Sequence, residues 1–245
     1  MLLIPIPTGP ARRAAEAQQY WNSPSSDELL SNSHHRDSDF PEGVATWERI
    51  GRMHLDYFHE FARSNGASTE PERVLEWGVG GGANAVAFAP TAKEFIAVEV
   101  SQESLQECGR RVREVCDTTY TPVLVGADSP EDAVAAVEGP IDVFICFYVM
   151  ELLPSQDHGR RVLDVAARLL RPRGTAVIQI KYQTTSLRTR SRTWSYTRQI
   201  ASMTSYQIDK FWTLAADAGF TPQWIKLVPK NELDERYAYF FLTRN

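Results

Sequence analysis

The sequence predicts an α/β fold: an open, mainly parallel sheet with helices on both faces, an antiparallel last strand and an N-terminal helical cap. Three observations lead there. From Pro71 onward, apolar strand-like runs alternate with amphipathic helix-like runs, which calls for a parallel sheet covered on both faces. A glycine-rich turn, Gly78-Val79-Gly80-Gly81-Gly82, leaves the first of those runs. The last two strand-like runs are joined by too short a polar turn for a helical crossover, so the final strand reverses direction. The 245 residues suit one such domain of about 180 residues plus an appendage.

Taken in order, residues 22–43 are rich in Ser, Asn, Asp, Pro and His and read as loop with one short helix. Ser25-Ser26-Asp27-Glu28 has capping-box spacing ahead of Leu29 and Leu30. A stronger helix starts at Pro41. Trp47, Ile50, His54, Tyr57, Phe58 and Phe61 recur at three- and four-residue spacing, and Asn65-Gly66 closes it. Strands follow at Arg73–Trp77, Phe95–Glu99, Pro122–Gly126, Ile141–Tyr148 and Thr175–Lys181. The helices between them span Ala83–Ala89, Gln102–Val115, Pro130–Val137 and Gln156–Leu170, the last closed by Arg171-Pro172-Arg173-Gly174. A helix at Ile208–Ala218 and strands at Pro222–Val228 and Tyr237–Arg244 complete the chain. The organisation is therefore a cap over residues 1–70 and an α/β domain over 71–245.

Composition removes several classes. Hydrophobic residues at 43% and charged residues at 23% exclude a disordered or fibrous chain. The balance of 26 basic to 31 acidic residues, net −5, argues against a nucleic-acid partner, whose binder is normally basic. No apolar run approaches the roughly 18 residues a membrane span needs. At the N-terminus Arg12 and Arg13 follow the apolar stretch instead of preceding it, unlike a secretory signal. Cys108 and Cys116 fall on one predicted helix, about 12 Å apart by the 1.5 Å rise, too far for a disulfide. With Cys146 they read as reduced thiols of a cytoplasmic protein, and no zinc spacing points to a metal.

The glycine turn carries the chemistry. Glycines let the chain leave a strand sharply and let backbone approach a ligand, and the next helix aims its amides at that ligand. An acid, Glu76, stands two residues before Gly78. A second, Glu99, closes strand two about 20 residues on, where ribose hydroxyls are gripped in such folds. A third, Asp128, follows strand three in Gly126-Ala127-Asp128-Ser129. A dinucleotide reading, Gly-x-Gly-x-x-Ala over Gly78–Ala83, is the alternative, but it leaves Glu76 without a role and places about 70 residues before strand one.

With these motifs the sequence resembles the class I S-adenosylmethionine-dependent methyltransferases over Pro71 to Arg244. The resemblance implies a Rossmann-like seven-stranded sheet with an antiparallel last strand, S-adenosyl-L-methionine as cofactor and S-adenosyl-L-homocysteine as product. It implies that Glu76, Gly78, Gly80 and Gly82 flank the methionine part, Glu99 binds both ribose hydroxyls, and Asp128 takes the adenine amino group. Tyr148 and Val149 would lie near the sulfonium, and Asn84, Val100 and Ser129 complete the cofactor-binding candidates. A non-catalytic cofactor-binding module is the reading from another class.

For the acceptor, the Asn/Asp-Pro-Pro-Tyr signature of base-amino methyltransferases is replaced by Cys146-Phe147-Tyr148-Val149-Met150-Glu151. The family's Glu-His pair is here Glu151-Leu152, with His158 six residues beyond Leu152. A hydroxyl acceptor benefits from a general base, and His is the usual one. His158 and Glu151 are therefore the catalytic candidates, with His34 and His35 in the cap as further ones and His54 as a core histidine. A basic insert around 182–206, with Arg188, Arg190, Arg192 and Arg198 interleaved with Trp194 and Tyr196, would face the acceptor. Glu76-Trp77-Gly78, the run Phe95–Glu99 and the tryptophan-bearing N-terminal helix resemble actinobacterial small-molecule and saccharide O-methyltransferases, a group that includes the activity capping the reducing-end hydroxyl of methylated mannose polysaccharides. The reading is O-methylation of a small-molecule hydroxyl, best a saccharide, with a phenolic or other natural-product acceptor as the alternative. A homodimer is compatible with it.

Overall fold

The computed structural model describes residues 8–23, 26–38, 43–192, 196, 203–230 and 235–245. Residues 1–6, Ser25, Pro41, Trp194 and Arg198, which carried parts of the sequence reading, lie outside them. The chain opens with α1 (Pro10–Trp21), α2 (Asp27–Asn32) and α3 (Gly43–Asn65), then β1 (Arg73–Trp77), α4 (Ala85–Phe88), β2 (Glu94–Glu99) and α5 (Gln102–Val115). It continues with β3 (Thr119–Leu124), α6 (Asp132–Ala136), β4 (Ile141–Cys146), α7 (Gln156–Leu169) and β5 (Leu170–Lys181). The last elements are α8 (Ile208–Asp217), β6 (Phe220–Lys230) and β7 (Glu235–Arg244).

The seven strands form one sheet in the order β3-β2-β1-β4-β5-β7-β6. The β1–β5 pairings are parallel, and β7 runs antiparallel to both β5 and β6. Side chains alternate between faces along each strand. Leu75, Ile96, Phe144 and Ile178 meet α7 and α8 residues such as Leu163 and Phe211. Val74, Phe95, Ile145 and Val177 meet Phe58 and Phe61 of α3 and Leu105 of α5. Of the first seventy residues, α3 is thus part of the sheet's cover.

Local sequence explains most boundaries. The Ser26 side chain accepts from Leu29 N–H at the start of α2, the Ser101 side chain from Ser104 N–H at α5, and the Ser155 side chain from His158 N–H at α7, each satisfying a free amide of a first turn. Gly66 ends α3 at φ 66.

Several element bounds differ from expectation, those of β4, β6 and β7 among them, and four differences stand out. Helix α1 went unpredicted, although Pro10 in its first turn and an Ala/Gln/Glu-rich run favour it. Strand β3 begins three residues earlier than Pro122 and carries that proline within it, which an edge strand tolerates. Only one turn of α-helix, α4, and one 3-10 turn through Pro90 follow the glycine loop, because proline cannot donate in a helix interior. The Arg171–Gly174 stretch starts β5 instead of merely closing α7. Leu170 pairs with Ile141, and the register shifts before Thr175 meets Val143, with Arg173 at φ 64.

Candidate active site

At the carboxyl ends of β1, β2 and β4 the sheet opens into a cavity of about 1040 Å³, counted with its open mouth. This is the crevice beside the strand-order switch where open α/β sheets bind ligands. The turn after β1 forms its floor. Gly78 and Gly80 have φ of 76 and 49, and a Cβ on either would overlap Val149 or the Ser33 carbonyl, so only glycine fits.

Glu99 ends β2 on the cavity wall. Its carboxylate accepts from Gly80 N–H (3.0 Å), Val100 N–H (2.7 Å) and Ser101 N–H (3.3 Å). Burial pushes its pKa up, while those three amides pull it down. Oε2, with one amide partner, keeps a lone pair for a ligand hydroxyl. Glu76, fully buried, accepts from Asn84 Nδ2 at 2.8 Å. Burial raises its pKa to about 8, and its Oε2 has no hydrogen-bond partner.

The segment after α2 lies across this floor. Ser33 carbonyl accepts from Gly81 N–H at 2.6 Å, and His35 Nε2 lies 3.1 Å from Ser104 Oγ. His34 (φ 55) stands edge-on to Tyr148, also at φ 55, with ring centroids 5.2 Å apart. Both line the cavity, and desolvation lowers the His34 pKa to about 4. Helix α1 closes the other end. Gln18 Oε1 accepts from Ala127 N–H at 2.6 Å, and Trp21 donates to the Tyr196 hydroxyl at 2.7 Å.

The structure brings Gly78, Gly80, Asn84, Glu99, Val100, Tyr148 and His158 to the cavity wall. Glu76, Gly82, Asp128, Ser129 and Glu151 stand behind or beside it. His158 Nε2 is 2.9 Å from Asp128 Oδ1 and its Nδ1 3.1 Å from Ser155 Oγ. The His158 contact, with Arg161 beside it, holds the Asp128 carboxylate below its usual pKa. Glu151 is buried and accepts from the Tyr237 hydroxyl at 2.7 Å. Tyr196, expected to stand among the arginines, is buried against Ala17 and Met203, because its ring and hydroxyl are both satisfied by α1.

Sequence reasoning missed Ala17 and Trp21 of α1, and Asn32 and Ser33 at the end of α2, all on the cavity wall. The helix-forming run after Pro10 was the available signal for the first pair. No local signal marks the second pair. Among the described residues there is no group of three or more His, Cys, Asp or Glu able to hold a metal, and no helix is long and apolar enough to cross a membrane.

A family profile described as a methyltransferase domain matches residues 48–223. This chain belongs to that family. It is the class I S-adenosylmethionine-dependent methyltransferase family that the glycine motif and acid series resemble. Comparison with curated protein sequences gives no match. Among solved structures, the chain is similar to magnesium protoporphyrin IX methyltransferase from Synechocystis PCC 6803 with bound S-adenosylhomocysteine. The TM-score is 0.66 at 15% identity, covering 94% of this chain and 99% of that one. It is also similar to a 1,6-didemethyltoxoflavin N1-methyltransferase from Burkholderia thailandensis, with TM-score 0.63, 17% identity and 98% and 94% of the two chains. A third is an N-methyltransferase from Bradyrhizobium japonicum WM9 complexed with S-adenosylhomocysteine, with TM-score 0.62, 15% identity and 89% and 97% covered. At these identities the likeness is one of fold.

If Glu99 is the cofactor's ribose ligand, Glu99→Ala is expected to weaken S-adenosylmethionine binding by about 2–3 kcal/mol, the scale of charge-assisted hydrogen bonds. Isothermal titration measures it. Unchanged affinity would place the ribose elsewhere.

Proposed function

We propose that this methyltransferase transfers the methyl group of S-adenosyl-L-methionine to the hydroxyl of a small molecule, with a saccharide as the leading acceptor, and releases S-adenosyl-L-homocysteine. The observation that carries the reading is the single cavity that runs from Glu99 and the glycine turn to His34 and Tyr148. The first end offers a carboxylate and glycine backbone to a ribose and an amino acid moiety. The second offers an imidazole and an aromatic face to an acceptor. Direct in-line displacement needs the two held in contact, and most of the rate comes from that proximity.

Sheet order supports a distinction between His158 and His34. Asp128 and its partner His158 belong to the β3 side, the adenine end in this reading, whereas Tyr148 and His34 belong to the β4 side. We therefore assign the acceptor-side base to His34, neutral near pH 7 because its pKa lies near 4. His158 and Asp128 become the adenine-side pair, and Glu151 supports Tyr148 through Tyr237, whose ring stands edge-on to it at 5.5 Å. The saccharide assignment draws on the sequence resemblance and on Arg188 and Arg190, which are exposed donors on the insert.

The deciding experiment is a screen of S-adenosylhomocysteine release across sugars, phenols and amines. Turnover of sugar hydroxyls is expected. Turnover of phenols alone moves the acceptor to natural-product chemistry, and turnover of amines alone overturns O-methylation.

A further inference from the structure

Two cavity-lining residues, Tyr148 after β4 and Asn84 beside the glycine turn, are joined behind the wall by an unbroken chain of hydrogen bonds. Tyr148 N–H donates to Gln179 Oε1 at 2.6 Å, and Gln179 Nε2 donates to the Tyr239 hydroxyl at 2.8 Å. That hydroxyl lies 3.0 Å from His54 Nε2, and His54 Nδ1 lies 2.7 Å from Asn84 Oδ1. Asn84 Nδ2 closes the chain on Glu76 Oε1 at 2.8 Å. Gln179, Tyr239, His54 and Glu76 are fully buried, and Asn84 nearly so.

One end sets the direction of the first links in the chain. A backbone N–H can only donate, so Gln179 presents its oxygen to Tyr148 and its amide N–H to Tyr239. Accepting from Gln179, the Tyr239 hydroxyl has His54 Nε2 within donating reach at 3.0 Å, and the chain takes that direction. A neutral ring with a bare Nε2 carries its proton on Nδ1, so Asn84 presents its oxygen to His54 and its amide to Glu76. Burial favours that neutral ring, lowering the His54 pKa to about 4. Phe147, stacked on the imidazole at 4.1 Å and 18°, fixes the ring plane. The chain ends at a left-handed Tyr148 (φ 55), a conformation disfavoured for any residue with a Cβ, and its amide is tied by Gln179.

We propose that His54 is a positioning residue for methyl transfer: from α3 it holds the Tyr148 turn and the Asn84 side chain as one hydrogen-bonded unit, setting acceptor wall and glycine turn together. The inference rests on the cofactor-and-acceptor reading of the cavity. His54 touches neither ligand in that reading and acts through its two neighbours. Such a buried hydrogen-bonded network rigidifies what it joins.

Two variants of the full chain test it. Tyr239→Phe cuts the chain away from the cavity. Gln179→Glu keeps the shape but removes the amide donor, so Tyr239 turns its proton toward residue 179 and asks His54 Nε2 to donate. Nitrogen-15 spectra of labelled histidine are expected to show His54 as the neutral Nδ1–H tautomer in the wild type and protonated at Nε2 in Gln179→Glu. Titration with S-adenosylhomocysteine is expected to show about tenfold weaker binding in each variant. The double variant should lose no more than the worse single one, because residues acting as a unit are non-additive. A wild-type Nε2–H tautomer, affinities within about twofold of wild type in both folded variants, or multiplying losses would each overturn the proposal. A wild type that binds no S-adenosylhomocysteine sinks the functional reading instead, and the tautomer still tests the chain.

Discussion

Deleting residues 1–40 is expected to abolish methyl transfer and to weaken S-adenosylhomocysteine binding at least tenfold, while the rest of the chain stays folded. The expectation follows from what those residues touch. Arg13 Nε donates to the Pro154 carbonyl at 2.6 Å, Gln18 accepts from Ala127 N–H, and Ser33 accepts from Gly81 N–H. Ala17, Trp21, Asn32, Ser33 and His34 form cavity wall. Without them the cavity becomes an open trough, water reaches the reacting centre, and the orientation that proximity catalysis depends on is lost. Helix α3 remains, and it supplies Phe58, Phe61 and Ala62 to the sheet core, so the truncated protein keeps its cover. Circular dichroism and a thermal melt would verify the fold, and titration and turnover would measure the rest. A folded truncation with full affinity and rate would show α1 and α2 to be an appendage.

His34→Ala is expected to lower kcat by about 10²-fold or more while leaving cofactor affinity nearly unchanged, the signature of a lost general base. An aliphatic hydroxyl is a poor nucleophile until its proton leaves, and His34 is the cavity-lining imidazole on the β4 side. The neutral ring is the active form. Its pKa near 4 means that the rate is lost only as pH falls through about 4 and is flat from there to neutrality. His158→Ala should act differently. It frees Asp128 from its partner at 2.9 Å and should weaken cofactor binding more than it lowers kcat. If instead His158→Ala takes the rate and His34→Ala spares it, the base lies on the β3 side and the acceptor end is misassigned.

Much of the scaffold was legible because its signals are local. Strand-forming runs, the capping-box spacing ahead of Leu29 and Gly66 after α3 act within a few residues. Helix α5 and strand β1 fall on their expected bounds for this reason. The β3 shift and the early start of β5 were not legible, because pairing partners distant in the chain set the ends of strands.

The sequence by itself determined the alternation that makes a covered parallel sheet, the reversal of its last strand, and the glycine turn with acids at Glu76 and Glu99. Those depend on periodicity and on backbone freedom at single residues. Only the tertiary structure decided what stands around the turn. It laid Ser33 and His34 across Gly80 and Gly81, buried Tyr196 against α1, paired His158 with Asp128, and threaded His54 between Asn84 and Tyr239. Each of these contacts joins residues from 30 to 185 positions apart in sequence. A polar side chain reads the same on a solvated loop as in a buried network. What separates the two is the partner that folding brings within hydrogen-bond reach, since a buried polar group is stable only when it is satisfied.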